Sequence, residues 1–291
     1  MGAVFEARPP QNPGNPWKER ILYSFGAFPG DGFHPNAGLL PAHPGLYGVT
    51  RDGGSTGRGT VFQLTPPPGG GTEWIETILY SFTALPDGAF PSSEVTRDEE
   101  GNLYGTTLLG GTNNFGAVYQ LSPQGTVWEE TVIFSFSGAD GSSPFGRLLL
   151  DQSGALYGTT TGGGSGQAGT VYKLTPPSQP GGQWTHSVLY NFTGARDGGS
   201  PFAGVIFDRK GRLFGTASTG GNGRPNPGGV VFRLDPPAIQ GDPWTETVLY
   251  AFGGPDGFRP LCRLVQRDNA MFGTTSAGGV NGTGTAFILR P

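Results

Sequence analysis

The sequence predicts an all-β fold: a five-bladed β-propeller of four-stranded antiparallel blades, closed by an N-terminal strand clasp, with residues 1–291 as one domain. Three observations carry this. The five tryptophans, Trp17, Trp74, Trp128, Trp184 and Trp244, fall 54 to 60 residues apart and mark an internal repeat. Glycine (54) and proline (27) exceed a quarter of the 291 residues, a level that suggests disorder when it stands alone. Here aromatics reach 12% and charged residues only 14%, the opposite of a disordered composition, so the turns cut short, apolar strands. Such a composition rules out a helix bundle and a doubly wound α/β fold.

Each unit supplies four strand signals in a fixed order. The tryptophan leads an apolar alternation: Ile21-Leu22-Tyr23-Ser24-Phe25, Ile78 to Phe82, Val132 to Phe136, Val188 to Phe192 and Val248 to Phe252. Asp-Gly-x-x-Pro follows in all five units, from Asp31, Asp87, Asp140, Asp197 and Asp256. The stretch after the proline, such as Arg147-Leu148-Leu149-Leu150, is the least polar and is assigned to the propeller axis. The next strand reads Leu103-Tyr104-Gly105-Thr106-Thr107, with counterparts at Leu46, Leu156, Leu213 and Met271. A Gly-Gly pair then leads to Gly59-Thr60-Val61-Phe62-Gln63-Leu64 and its equivalents. Four strands per period fit a radial blade better than an open β-solenoid. One blade cannot bury both of its faces, so its neighbours must do so.

On this order the Asp-Gly-x-x-Pro turn joins an outer strand to the next inner one. The Gly-Gly loop joins strands two and three, and both connections emerge on one face. That face is the candidate site. At the ends, residues 17–25 have the phase of an outer strand, and the C-terminus supplies only three strands of a blade. Residues 17–25 are therefore expected to complete the last blade as a clasp. Residues 2–7 are a sixth copy of a strand needed five times and are expected as an extra edge strand.

Several function classes drop out. Net charge is −4, which gives no basic footprint for nucleic acid. No apolar run approaches the length of a membrane span. The single cysteine, Cys262, excludes an intrachain disulfide framework and a multi-Cys zinc site. With only His34, His43 and His186 besides, neither a metal centre nor a cofactor is expected. The segment after Met1 is strand-like rather than a signal peptide, and Glu6 stands where a myristoylation site needs Ser or Thr.

Taken together, Leu-Tyr-Gly-Thr-Thr, Gly-Gly, Gly-Thr-Val-Phe-x-Leu, Leu-Tyr-Ser-Phe and Asp-Gly-x-x-Pro resemble the GloVer tandem repeat of bacterial "choice-of-anchor" proteins, from Gly2 to Leu289. The resemblance implies an extracytoplasmic location, since family members tend to carry surface-sorting signals. It implies no catalytic residues. No sorting tail is visible after Pro291, so an excised repeat region or a stand-alone member is expected.

Positions that break the repeat point to function, because packing cannot demand what other units do without. Three residues after the conserved proline stand Gly38, Glu94, Arg147, Gly204 and Arg263. Charges near the axis need solvent or partners, so Glu94, Arg147 and Arg263 are assigned to a polar channel or an ion network. Just before the proline, units five, one and two carry Phe258-Arg259, Phe33-His34 and Phe90, and unit one replaces its loop with Arg51-Asp52. Phe33, His34, Arg51, Asp52, Phe90, Phe258 and Arg259 form the candidate site, aromatic walls with convergent polar groups. His34 and Asp52 are candidates for an acid–base pair, provided that the fold brings them within hydrogen-bond reach. The Asp-Gly aspartates, the Thr pairs and the tryptophans are expected to be structural. The leading reading is a glycan-binding, lectin-like module with a glycan or small polar ligand and cell-surface proteins as partners. The alternatives are a glycosidase or lyase with a cleft on this face, and a structural or protein-interaction ring.

Overall fold

The computed structural model describes residues 1–290 apart from 180, 223–226 and 240. Its described residues hold 25 strands and one short 3-10 turn, Pro68–Gly70. No helix among them is long and apolar enough to cross a membrane.

Four successive sheets contain the expected inner, second, third and outer strands, each antiparallel to the next. The first comprises Leu40–Ala42, Gly45–Thr50, Thr60–Thr65 and Ile75–Ser81. The second comprises Thr96–Arg97, Leu103–Gly110, Ala117–Gln124 and Val127–Ser135. In the third, Leu149–Leu150 and Leu156–Gly162 precede Thr170–Thr175 and Thr185–Asn191. The fourth runs Ile206–Phe207, Leu213–Ala217, Val230–Asp235, Thr245–Ala251. A fifth sheet has only three strands, Val265–Arg267, Ala270–Thr274 and Ala286–Leu289.

The core lies between sheets rather than within one. Val61 of the first sheet packs with Phe82 against Val95, Leu103, Tyr119 and Leu121 of the second. The tryptophans carry the same joint outward. Trp128 stands edge-on to Tyr47 of the preceding sheet at 6.1 Å, and Trp184 repeats this on Tyr104 at 6.1 Å. Trp244 packs in one cluster with Tyr157. These rings are packing anchors, as the repeat suggested. Burying a sheet on both faces needs a neighbour on each side, and aromatic pairs of this geometry add specificity to the area they bury.

The N-terminal clasp is corrected. Lys18–Ser24 pairs antiparallel with Ala3–Arg8, not with Ala286–Leu289. The hairpin is a copy of the third and outer strands of a blade. Its register slips between Val4 and Phe5, where the sheets slip at Val61/Phe62, Val118/Tyr119, Val171/Tyr172 and Val231/Phe232. Val4, Leu22 and Phe25 then pack on Phe62 and Leu64 of the first sheet. The physical reason is proximity. A third-strand sequence stands a short loop away from residues 18–24, and closing that loop costs less entropy than closing the whole chain. The extra strand expected at residues 2–7 is thus the partner that removes the clasp.

Candidate functional site

The two connections expected to share a face do so, and they are hydrogen-bonded to one another. Gly32 and Phe33 pair with Gly53 and Asp52, and Gly88 pairs with Gly110. Ser142 pairs with Gly162, and bridges join Gly199 to Thr219 and Phe258 to Ala277.

The residue before each conserved proline is left-handed: His34 at φ 56°, Phe90 at 60°, Ser143 at 52°, Ser200 at 49° and Arg259 at 57°. Non-glycine residues adopt this region at a cost, so something must hold them there. The holding bonds reach back to the previous blade. The amides of Phe90, Ser143, Ser200 and Arg259 donate to the carbonyls of Arg58, Phe115, Ala168 and Gly228, at 2.7–2.8 Å. Beside each of these carbonyls is a glycine that the next proline caps; a Cβ on Gly59 would lie 2.5 Å from Pro91 Cδ.

The aspartates brace the same turns. Asp31 Oδ2 accepts the amides of Gly26 and Ala27 at 2.6 and 2.8 Å. Asp87 accepts from the Thr83 amide and hydroxyl and from the Tyr80 hydroxyl. Asp140 accepts from Ser137, Asp197 from Thr193 and Tyr190, and Asp256 from Gly253 and Tyr250. The threonines are likewise structural. Thr50 and Thr60 share a 2.8 Å bond, as Thr160 and Thr170 do at 2.9 Å, while Thr159 reaches the Ala203 carbonyl of the next blade.

On this frame the first blade carries side chains the others lack. His34 Nδ1 and Asp52 Oδ2 are 2.8 Å apart, both reachable by solvent. Arg51 stands 5.6 Å from the centroid of Phe90, and Arg58 stands 5.4 Å from it, so two guanidinium groups share one half-buried ring. Phe33 is half-buried with its ring over Gly26. The structure therefore gathers Phe33, His34, Arg51, Asp52 and Phe90. Phe258 and Arg259 are held by the fourth and fifth blades instead. The Phe258 ring lies against Gly228, and the Arg259 carbonyl accepts from Ser276.

Just past the turn prolines, Arg147 Nη1 and Glu94 Oε1 form an ion pair of 2.5 Å, and Arg147 Nε also reaches Thr96 Oγ1 at 3.3 Å. Burial pulls the Arg147 guanidinium below its ordinary range, and the like charge of Arg263 adds to this while Glu94 opposes it. Arg263 itself is exposed. Gly38 leaves room for the Glu94 carboxylate and Gly204 for the Arg147 backbone, which explains the two glycines among the charges. No group of three His, Cys, Asp or Glu among the described residues could hold a metal ion.

Two sets of residues escaped the sequence reading. Arg58 lies within Gly57-Arg58-Gly59, a loop that reads as a linker. Glu76, Glu130, His186 and Glu246, each two places after a tryptophan, sit on outer strands where polar residues read as solvent-facing. All four are half-buried with one side-chain atom unpartnered. Burial pushes Glu76 and Glu246 up to about 7 and Glu130 up to about 8, and Asp31, Asp197 and Asp87 add like charge to each in turn. Burial holds His186 below its ordinary value, stacked 4.2 Å from Phe134.

The repeat has a known counterpart. A model of the Gloeobacter/Verrucomicrobia repeat matches residues 1–146 and 34–287. The chain belongs to that repeat family. No curated protein matches this Gloeobacter/Verrucomicrobia repeat chain. Among solved structures it is similar to an α-L-arabinanase of Penicillium chrysogenum complexed with arabinobiose, at 12% identity and TM-score 0.52, over 99% of this chain and 86% of that one. It is also similar to a putative 6-phosphogluconolactonase from Bacteroides uniformis, at 11% identity and TM-score 0.52, over 94% and 75% of the two chains. Both likenesses concern the fold, which is that of a β-propeller.

Proposed function

We propose that this repeat protein is a non-catalytic β-propeller, with the five units as its blades, that binds a glycan outside the cytoplasm. The site is the first-blade sector of the Asp-Gly face. One observation carries the reading. Five loops share one backbone frame, and a single loop pair adds His34, Asp52 and Arg51 beside Phe90 of the next turn, whose ring Arg51 and Arg58 flank. A sugar offers hydroxyls to donors and acceptors and a CH face to an aromatic ring, and this sector supplies both. In this reading Phe258 and Arg259, on the equivalent turn of the fifth unit, and Arg263 beyond it would contact a longer ligand.

The glycosidase reading is weaker because its carboxylates are engaged. Two must be free to flank a glycosidic bond. The five turn aspartates accept hydrogen bonds from their own loops or from outer-strand tyrosines, and Glu94 is paired with Arg147. The purely structural ring has less support, because His34, Arg51, Arg58 and Arg259 are exposed on the face. A glycan array that includes arabino-oligosaccharides tests the proposal, with retention of a restricted set of glycans expected. An array without hits at high protein concentration would refute it.

A further inference from the structure

The joint between the first and second sheets gathers positive charge that no neighbouring carboxylate neutralises. Arg51 and Arg58 stand near the two ends of the connection from Gly45–Thr50 to Thr60–Thr65. Their guanidinium carbons lie over the Phe90 ring, 5.6 and 5.4 Å from its centroid. Both residues are exposed, and among the described residues neither makes an ion pair. Asp52, next in the chain to Arg51, is taken by His34 Nδ1 at 2.8 Å. The shared frame does not require these cations. Their equivalents are Leu108 and Phe115 in the second unit and Thr161 and Ala168 in the third, and the last two units place no cation at either position. Two cations against one carboxylate leave this sector positive on a chain of net charge −4.

Resting on the glycan-binding reading above, we propose that the oligosaccharide bound by this sector is an acidic one, whose carboxylate or sulfate groups Arg51 and Arg58 hold. Both guanidinium carbons lie within 5.6 Å of one ring centroid, so a single oligosaccharide spans them. A guanidinium fork offers paired N–H donors to a carboxylate or sulfate edge, and such charge-assisted bonds are the strong ones. The Phe90 ring orients both forks, since a guanidinium over an aromatic face keeps its N–H edges for a ligand. The backbone fixes the same residues. The Phe90 amide donates to the Arg58 carbonyl at 2.8 Å, and the Arg51 amide donates to the His34 carbonyl at 3.1 Å. Phe90 is held left-handed at φ 60°, a conformation that a bulky residue leaves unless it is pinned. Ring and cations are thus placed before a ligand arrives, which lowers the cost of binding. A neutral hydroxyl brings no charge to the fork, so two unpaired cations favour an acidic sugar over its neutral counterpart.

A binding panel tests this at physiological ionic strength, where loose attraction between exposed charges is screened. It pairs each uronate-containing or sulfated oligosaccharide with its carboxyl-reduced or desulfated counterpart, and adds inorganic polyphosphate as an anion without sugar. The acidic member of at least one pair should bind at least about tenfold more tightly than its neutral counterpart and than polyphosphate, equivalent to about 1.4 kcal/mol. On that oligosaccharide, Arg51→Gln and Arg58→Gln should each weaken binding about tenfold or more. Arg209→Gln, an exposed cation on the turn between the first two strands of the fourth sheet, should leave binding unchanged. All three residues are exposed, so the variants should keep the wild-type melting temperature. Neutral oligosaccharides bound as tightly as acidic ones would overturn the acidic ligand and leave a glycan site standing, whereas no binding to any oligosaccharide would refute both. Equal affinity for polyphosphate would overturn the proposal as well, by showing a surface that takes any polyanion. So would acidic binding that survives both arginine variants.

Discussion

The turn entering the first blade and the turn entering the third are the same backbone carrying different chemistry. Both begin with an Asp-Gly pair, both pass through a left-handed residue, His34 or Ser143, and both end at a proline. In the third blade the Ser143 carbonyl accepts the Thr161 hydroxyl at 3.1 Å, and the partner loop carries glycines. In the first, the partner loop carries Arg51 and Asp52, and Asp52 holds His34. The joint between the second and third blades diverges beneath the face as well, with His186 of the third stacked on Phe134 of the second where other units place a glutamate and a tyrosine. The lesson is a division of labour. Aspartate, glycine and proline set the frame in every unit, and positions the frame does not constrain are where one blade gains the exposed polar groups of the proposed site.

If the frame is shared, breaking it should cost stability wherever it is broken. Asp87→Ala removes bonds from two amides, of Thr83 and Gly88, and two hydroxyls, of Tyr80 and Thr83, and should cost about 2 kcal/mol in urea unfolding. Asp140→Ala, with a single loop amide to lose, should cost about 1 kcal/mol. Equal losses, or none at Asp87, would show that the turns are not braced by their aspartates.

The buried titratable groups separate the blades by pH. Glu76, Glu130 and Glu246 have folded values above their unfolded one, so their stabilisation is complete below about pH 4.5 and fades as pH rises through 7 to 8. Half-buried as they are, each contributes on the order of 1 kcal/mol after solvent screening is allowed for. His186 runs the other way. Its folded value lies below 6.5, so its contribution is present above that pH and is lost on acidification. Hydrogen exchange at pH 5 and pH 8.5 should show blades one, two and four better protected at the lower pH and blade three at the higher. Glu130→Gln should remove the alkaline loss in blade two alone. Uniform protection across the blades at both values would contradict this assignment.

The smallest effect expected is at the third turn itself. Ser143→Ala keeps the left-handed backbone and deletes a side chain with no role in the frame, so its cost should stay within about 0.5 kcal/mol of zero. A larger loss would mean that the third loop is not the neutral counterpart of the first.

Much of this was legible in the residues. Strand order, the shared face and the bracing aspartates followed from five copies, since only a structural demand repeats in every unit. The candidate residues of the first unit stood out because they broke the pattern. The clasp was not legible, because the phase of residues 17–25 fixes what kind of strand they form and leaves the neighbour open. The sixth copy of the third strand at residues 2–7 was the signal, and a nearby partner decided the pairing. Arg58 was hidden by its flanking glycines. The buried glutamates were hidden because an edge strand buried on both faces has the same sequence as an exposed one until the neighbouring blade is in place.

The asymmetry of the face is tested most directly by calorimetric titration of the best array glycan into wild type, an Arg51→Ala/His34→Ala variant and Ser143→Ala. The first-blade variant should bind at least about tenfold more weakly, a loss of about 1.4 kcal/mol or more, with Ser143→Ala unchanged and one site per chain. Equal weakening by Ser143→Ala, or a stoichiometry near five, would place binding on the shared frame and contradict a site built by the first blade.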